Sequence, residues 1–335
     1  MRHRFEGLAL AVVIGAMGAV AALPVLAQDA PQPQPAPSLT QQQRPTTAPS
    51  KPSQAPPPTG SPATGSSQNS SGAEQKLIPA AAERHFHEGV QFERDGNMEN
   101  AVRQYKEAIK EYPDYFEAHA SLGRIYLDQK GYAEAATELK TAISLRPNDA
   151  DVHNNLGLAL KHDRDLDGAI AQYQQAVRLN PKMADAQNNL ANVLYAKRNF
   201  NAAIEHYRAA LALQPNNAGV HMNLGSALDD AGKSDEAITE YKEAIRLAPK
   251  NASAHYNLAI LYLKRKDNGS AVAELKEAAK IAPDWPTPHI MLTNLLKDTD
   301  PQSAFSECMV ADGLTNDAKL HNLCSDLQKK AQNSN

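Results

Sequence analysis

The stretch ADAQNNLANVLYAKRNFNAAIEHYRAALALQPNN, residues 184–217, decides the fold because its outline recurs along the chain. Pro113, Pro147, Pro181, Pro215, Pro249 and Pro283 each stand 34 residues apart, the length of one helix-turn-helix repeat. Units set at 82–115, 116–149, 150–183, 184–217, 218–251 and 252–285 bring the small residues into columns. Position 20 is Ala in every unit (Ala101, Ala135, Ala169, Ala203, Ala237, Ala271), and so is position 27, from Ala108 to Ala278. Position 8 is small throughout: Gly89, Gly123, Gly157, Ala191, Gly225 and Ala259. Position 24 is large (Tyr105, Leu139, Tyr173, Tyr207, Tyr241, Leu275) and is expected to pack against position 7, which from the second unit on is Leu.

Such columns specify knobs and holes. Two helices approach closely only where one of them presents Gly or Ala, and a large side chain opposite then fills the gap at interior density. Proline at position 32 ends the second helix of each unit, since it lacks a donor and clashes with the preceding turn. One helix pair cannot bury its apolar face alone, so neighbouring pairs stack into a continuous core. The expected fold is all-α, a right-handed superhelical solenoid of antiparallel helix pairs.

On these columns the stretch from Ala82 to Trp285 resembles the tetratricopeptide repeat (TPR). The first unit departs from the pattern with Glu88 where the others carry Leu, which suits a solvent-facing N-terminal cap. After Trp285 the pattern survives for one helix (His289, Leu292, Leu296) and breaks at 298–301, so residues 286–335 are expected to form a degenerate repeat helix and a helical C-terminal cap. Within that cap Cys308 and Cys324 fall on two expected helices separated by Gly313, Leu314 and Thr315. In an oxidising compartment they are expected to form a disulfide; the alternative is a pair of packed free thiols.

The segments before the repeats have a different composition. Residues 1–27 carry Arg2 and Arg4, an uncharged apolar run and then Pro24 and Val25-Leu26-Ala27, the signature of a cleavable signal peptide. Its 21 uncharged residues from Gly7 to Ala27 would also suffice for an uncleaved membrane anchor. Residues 28–75 are rich in Pro, Gln, Ser and Thr and are expected to be a disordered linker, because they bury too little apolar surface to offset ordering entropy. A proline-rich ligand for another domain is the alternative for this segment. The protein is thus expected to be exported, periplasmic or secreted, with no membrane contact by the folded domain.

Four asparagines occupy position 6 of successive units, Asn155, Asn189, Asn223 and Asn257, within NNLG, NNLA, MNLG and YNLA. A row of primary amides can pair with the N–H and C=O groups of an extended peptide without reading its sequence. The row is similar to the asparagine-bearing repeat region of O-linked N-acetylglucosamine transferase, and that resemblance implies a concave groove that holds polypeptide. It does not imply glycosyl transfer, since too few residues follow the cap to build a catalytic domain. Asn154, Asn188 and Asn192 adjoin the row. The competing reading is that these amides make structural hydrogen bonds between neighbouring units.

Other chemistry finds little support. The family's clamp for a terminal carboxylate needs Lys or Arg at positions 2 and 6, whereas position 2 runs Glu83, Glu117, Asp151, Asp185, Gly219, Ser253. Acidic residues there either favour basic partners or simply complement the helix dipole. Histidine fills position 4 at His85, His119, His153, His221, His255 and His289. A whole helix pair separates each from the next, so they are expected to pack between helices rather than to bind metal. With 38 acidic against 34 basic residues there is no basic patch for nucleic acid. No phosphate loop, nucleophile elbow, HExxH or CxxC appears. The sequence therefore points to a scaffold that binds a protein or peptide, with no catalytic residues, cofactor or metal and with the oligomeric state open. The alternatives are a structural part of a cell-envelope assembly, acting through its cap, convex face or self-association, and an accessory subunit of an enzyme.

Overall fold

The computed structural model describes residues 77–332 except residue 316; the signal peptide expected over 1–27 and the linker expected over 28–75 lie outside the described residues. Fifteen helices and no strand occur among the described residues. They fall into two compact units, with the sixth repeat grouped with the cap. The first unit holds five hairpins: α1 (Ala80–Arg94) with α2 (Met98–Glu111), α3 (Phe116–Asp128) with α4 (Tyr132–Leu145), α5 (Ala150–His162) with α6 (Leu166–Leu179), α7 (Ala184–Ala196) with α8 (Phe200–Leu213), and α9 (Ala218–Asp230) with α10 (Ser234–Leu247). The second helix of each of the first four hairpins also packs on the first helix of the next, so this unit is a linear stack.

Two kinds of turn repeat along the stack. Inside each hairpin the residue at position 15 adopts a left-handed conformation: Gly96, Lys130, Arg164, Arg198 and Gly232 have φ between 60° and 78°. The following N–H then reaches back five residues, as in Gly131 N to Tyr126 O at 2.8 Å and Asp165 N to Leu160 O at 2.9 Å. This is the Schellman closure, which satisfies a carbonyl left over at the helix end. Asn97 and Asp165 cap the start of the next helix by accepting from Asn100 N and Gly168 N. Between hairpins the residue before each proline is extended, with φ of -143° at Tyr112, -136° at Arg146 and -134° at Asn180. Proline therefore acts by excluding helical geometry from its predecessor as well as by lacking a donor.

The alanine columns account for the close approach. Ala101, Ala135, Ala169, Ala203 and Ala237 are fully enclosed, as are Ala108, Ala142, Ala176 and Ala244. Position 24 lies directly over position 8 of its own hairpin: a Cβ added to Gly157 would stand 2.7 Å from the Tyr173 ring, and one added to Gly123 would stand 2.6 Å from Leu139. Tyr105 also joins Leu122 of the next hairpin in one apolar cluster. Glu88, the exception at position 7, is half exposed and 3.8 Å from His85.

Position 4 does more than pack. His119 Nδ1 meets Glu138 at 2.6 Å while its Nε2 meets the carbonyl of Pro113 at 2.9 Å; His153 makes the same pair with Gln172 and Pro147, and His221 with Glu240 and Pro215. Each ring thus ties its own hairpin to the proline turn of the preceding one. In the fourth hairpin the partners exchange places, with Gln187 at position 4 and His206 opposite it, and the bond survives at 2.7 Å.

The second unit comprises α11 (Ala252–Lys264), α12 (Asn268–Ile281), α13 (Pro286–Leu296), α14 (Pro301–Thr315) and α15 (Ala318–Gln332). Leu292, Ala304, Ala311, Leu320 and Leu327 form a buried cluster around a Cys308–Cys324 disulfide that joins α14 to α15, with Cα atoms 5.5 Å apart. Helix α14 runs through Gly313 and Leu314 to Thr315, so the break expected at those three residues is displaced. Thr315 Oγ1 donates back to Ala311 O, which holds the last turn, and Asp317 caps α15 by accepting from Leu320 N.

Candidate functional site

The first helices of successive hairpins, α3, α5, α7 and α9, also touch one another, and positions 6 and 9 are half-buried on all four, whereas position 12 of α3 (Leu127) and position 5 of α9 (Met222) are buried. Residues 5, 9 and 12 share a helical face by their i, i+4, i+7 spacing. On α5 they are Asn154, Leu158 and Lys161, and on α7 they are Asn188, Asn192 and Tyr195.

The asparagine row is brought together within the first unit, but its members are not equivalent. Asn189 Nδ2 donates to Asn154 Oδ1 of the preceding hairpin at 3.1 Å. Asn223 Nδ2 donates to Asn192 Oδ1 at 3.2 Å, and the same oxygen accepts from Tyr207 Oη at 2.7 Å. Two of the four amides therefore spend one N–H on stitching neighbouring hairpins, and each keeps a second N–H and its oxygen. Asn155 is half-buried and takes no partner among the described residues. The Asn188 Oδ1 is buried without a partner. Asn257, at position 6 of α11, lies in the second unit and is half-buried.

Charged groups that column reading did not single out flank the amides. Arg124 pairs with Glu93 of the preceding hairpin and stands 3.7 Å from Asp128. Tyr105 Oη donates to Glu93 at 3.1 Å. Burial and the Glu93 charge raise the Asp128 carboxyl above its ordinary range, opposed by Arg124. Tyr195 Oη donates to Asp230 at 2.6 Å, and burial first, then Asp230, pushes that hydroxyl's pKa up. Burial alone draws the Lys161 ammonium below its usual value. These residues differ from unit to unit, so no column announces them; only the helical spacing from the asparagines could have found them.

Position 2 is occupied as the dipole argument expects, with Glu117 and Asp151 in the first turns of α3 and α5, and Glu117 also pairs with Arg146. Among the described residues no group of three or more His, Cys, Asp or Glu side chains converges as a metal site, and no helix is long and apolar enough to cross a membrane.

Comparison with known proteins agrees with this architecture. Models described as tetratricopeptide repeat match residues 86–115, 154–218 and 222–286, and one described as TPR repeat matches 123–162, together more than half of the chain. The C-terminal part of a TPR repeat-containing protein from Cytophaga hutchinsonii is similar over 71% of this chain and 98% of its own, with 16% identity and a TM-score of 0.62. Pseudomonas aeruginosa pilF is similar over 64% of this chain and 97% of its own, with 21% identity and a TM-score of 0.53. YrrB, described as a TPR protein with an unusual peptide-binding site, is similar over 54% of this chain and 93% of its own, with 20% identity and a TM-score of 0.50. A comparison with curated proteins returned no match. Repeat columns, hairpin stack and family models agree: the chain belongs to the tetratricopeptide repeat family.

Proposed function

We propose that this protein is an exported, non-catalytic scaffold that holds an extended peptide, or a segment of a partner protein, along the face formed by α3, α5, α7 and α9. The fold is compatible with a protein-binding or peptide-binding scaffold, and the description of YrrB as peptide-binding supports that use of it. The observation that carries the reading is the amide at Asn155, which has no partner among the described residues beside the stitched Asn154–Asn189 pair. Together they offer donors and acceptors at the spacing of one hairpin and demand no particular side chain from the ligand. Export rests on the composition of residues 1–27.

The test uses a library of random dodecapeptides and the Asn155→Ala variant. Losing one amide that bonds the ligand backbone should weaken selected peptides about fivefold, the worth of roughly one net hydrogen bond. The thermal midpoint should stay unchanged, because Asn155 holds nothing in the free protein. Equal affinity of the two chains for every selected peptide would refute the role and favour an architectural one, in which the amides only join hairpins.

A further inference from the structure

Lys161 is the one lysine between residues 80 and 250 that is half-buried; all the others there are exposed. Its place in the last turn of α5 suits a cation, since the helix dipole is negative at that end. The dipole does not explain why the side chain lies among its neighbours instead of extending into water as the others do. No carboxylate pairs with it among the described residues. The flanking hairpins differ: Arg124 is matched to Glu93 and Asp128, and Tyr195 to Asp230. Lys161 stands two helical turns beyond Asn154, about 10 Å along the same face at the ordinary helical rise. A half-buried ammonium without a counter-charge is less well solvated than an exposed one and gains more from an incoming anion.

From this placement we infer that Lys161 receives a carboxylate of the bound chain and gives an otherwise sequence-blind face its one charge preference. The inference rests on the peptide reading above and adds the ligand chemistry. First helices continue on both sides of α5, at α3 and α7, so a chain lying on this face would pass Lys161 mid-course. The carboxylate can come from an Asp or Glu side chain or from a chain terminus, and the experiment separates the two.

The probe is a positional library of dodecapeptides in which one site is fixed in turn as Asp, Glu, Asn, Gln or Lys, prepared with free and with amidated C-termini. The full chain is compared with Lys161→Gln and Lys161→Glu. Peptides with Asp or Glu at one site should bind the native chain about tenfold more tightly than their Asn and Gln counterparts, as a charge-assisted bond provides. Lys161→Gln should abolish that ratio while binding neutral peptides as before, and Lys161→Glu should shift the preference to Lys. An Asp or Glu preference that persists in amidated peptides assigns the carboxylate to a side chain, whereas a loss of about tenfold on amidation that disappears in Lys161→Gln assigns it to the terminus. If peptides bind with neither an Asp or Glu preference nor a preference for a free C-terminus, or the preference survives in Lys161→Gln, the inference fails and the peptide reading stands. If no library member binds the native chain, both fail. Should Lys161→Glu not fold, Lys161→Gln alone decides.

Discussion

Tyr173 and Tyr207 occupy the same column and cover the same kind of small residue, yet their hydroxyls meet different fates. Tyr207 Oη donates to Asn192, which also holds Asn223, so this hydroxyl belongs to the link between the fourth and fifth hairpins. Tyr173 Oη is buried with no partner, because the residue at position 9 of its hairpin is Leu158 where the fourth carries Asn192 and the fifth Ser226. A buried hydroxyl without a partner costs about 1–3 kcal/mol, whereas a made hydrogen bond contributes roughly 0.5–1.5 kcal/mol. The two rings are almost wholly enclosed, and Tyr173 lies against Gly157, so replacing either by Phe leaves the apolar packing of the ring in place. Tyr173→Phe should therefore stabilise the protein by about 1 kcal/mol and raise its melting temperature by roughly 2–4 °C. Tyr207→Phe should lower the melting temperature by a similar amount. Scanning calorimetry of the two variants beside the native chain reads both signs. If Tyr173→Phe destabilises as much as Tyr207→Phe, the hydroxyl has a partner and the account of this column is wrong.

Two further expectations follow from the latches and the cap. Both partners of the His119 ring are acceptors when Glu138 is ionised, so the latch is complete only when the ring carries two hydrogens. Burial opposes the charge, but the Glu138 carboxylate, the Pro113 carbonyl and Asp114 together outweigh it and raise the His119 pKa. A raised folded value contributes stability below the unfolded value of about 6.5 and loses it as pH rises through the folded value. Denaturant titrations should thus show His119→Gln costing more near pH 6 than near pH 8.5, and the reverse order would contradict the charged latch. Reducing the disulfide between Cys308 and Cys324, 16 residues apart, should cost the cap about 3 kcal/mol on the loop-entropy relation. Hydrogen exchange should then accelerate in α14 and α15 while α5 keeps its protection; unchanged exchange in the cap would count against the bond.

How much could be read without coordinates depended on whether a feature repeats. The prolines and the Ala columns recur in every unit, so stack and register were legible; position 24 was expected against position 7, which Tyr105 does meet at Leu122 of the next hairpin, but its cover over position 8 of its own hairpin came only from the structure. Position 15 was not, because Gly, Lys and Arg share no chemistry beyond tolerating the left-handed turn that the Schellman bond imposes. The role of position 4 was half legible: its rings were expected to pack, but their two hydrogen bonds were not foreseen. The exchange of Gln187 with His206 is a covariation within the repeats that would have revealed the partner. The stitching of Asn189 and Asn223 follows the competing reading of the row, structural bonds between units, but the partners Asn154 and Asn192 depend on the spacing between first helices, which no single column encodes. Helix α14 continues through Gly313 because the closing bond comes from Thr315, two residues later.

The claim on which the account rests is that amides of the α5–α9 face bond the backbone of an extended ligand. Replacing single backbone amides by esters along one selected dodecapeptide tests it directly, because each ester removes one N–H and leaves every side chain in place. Binding measured by calorimetry should fall about fivefold at esters facing the asparagines, roughly one hydrogen bond each, and the Asn155→Ala variant should be insensitive to the ester that Asn155 faces. A flat ester series, with affinity governed only by side-chain exchanges, would contradict it.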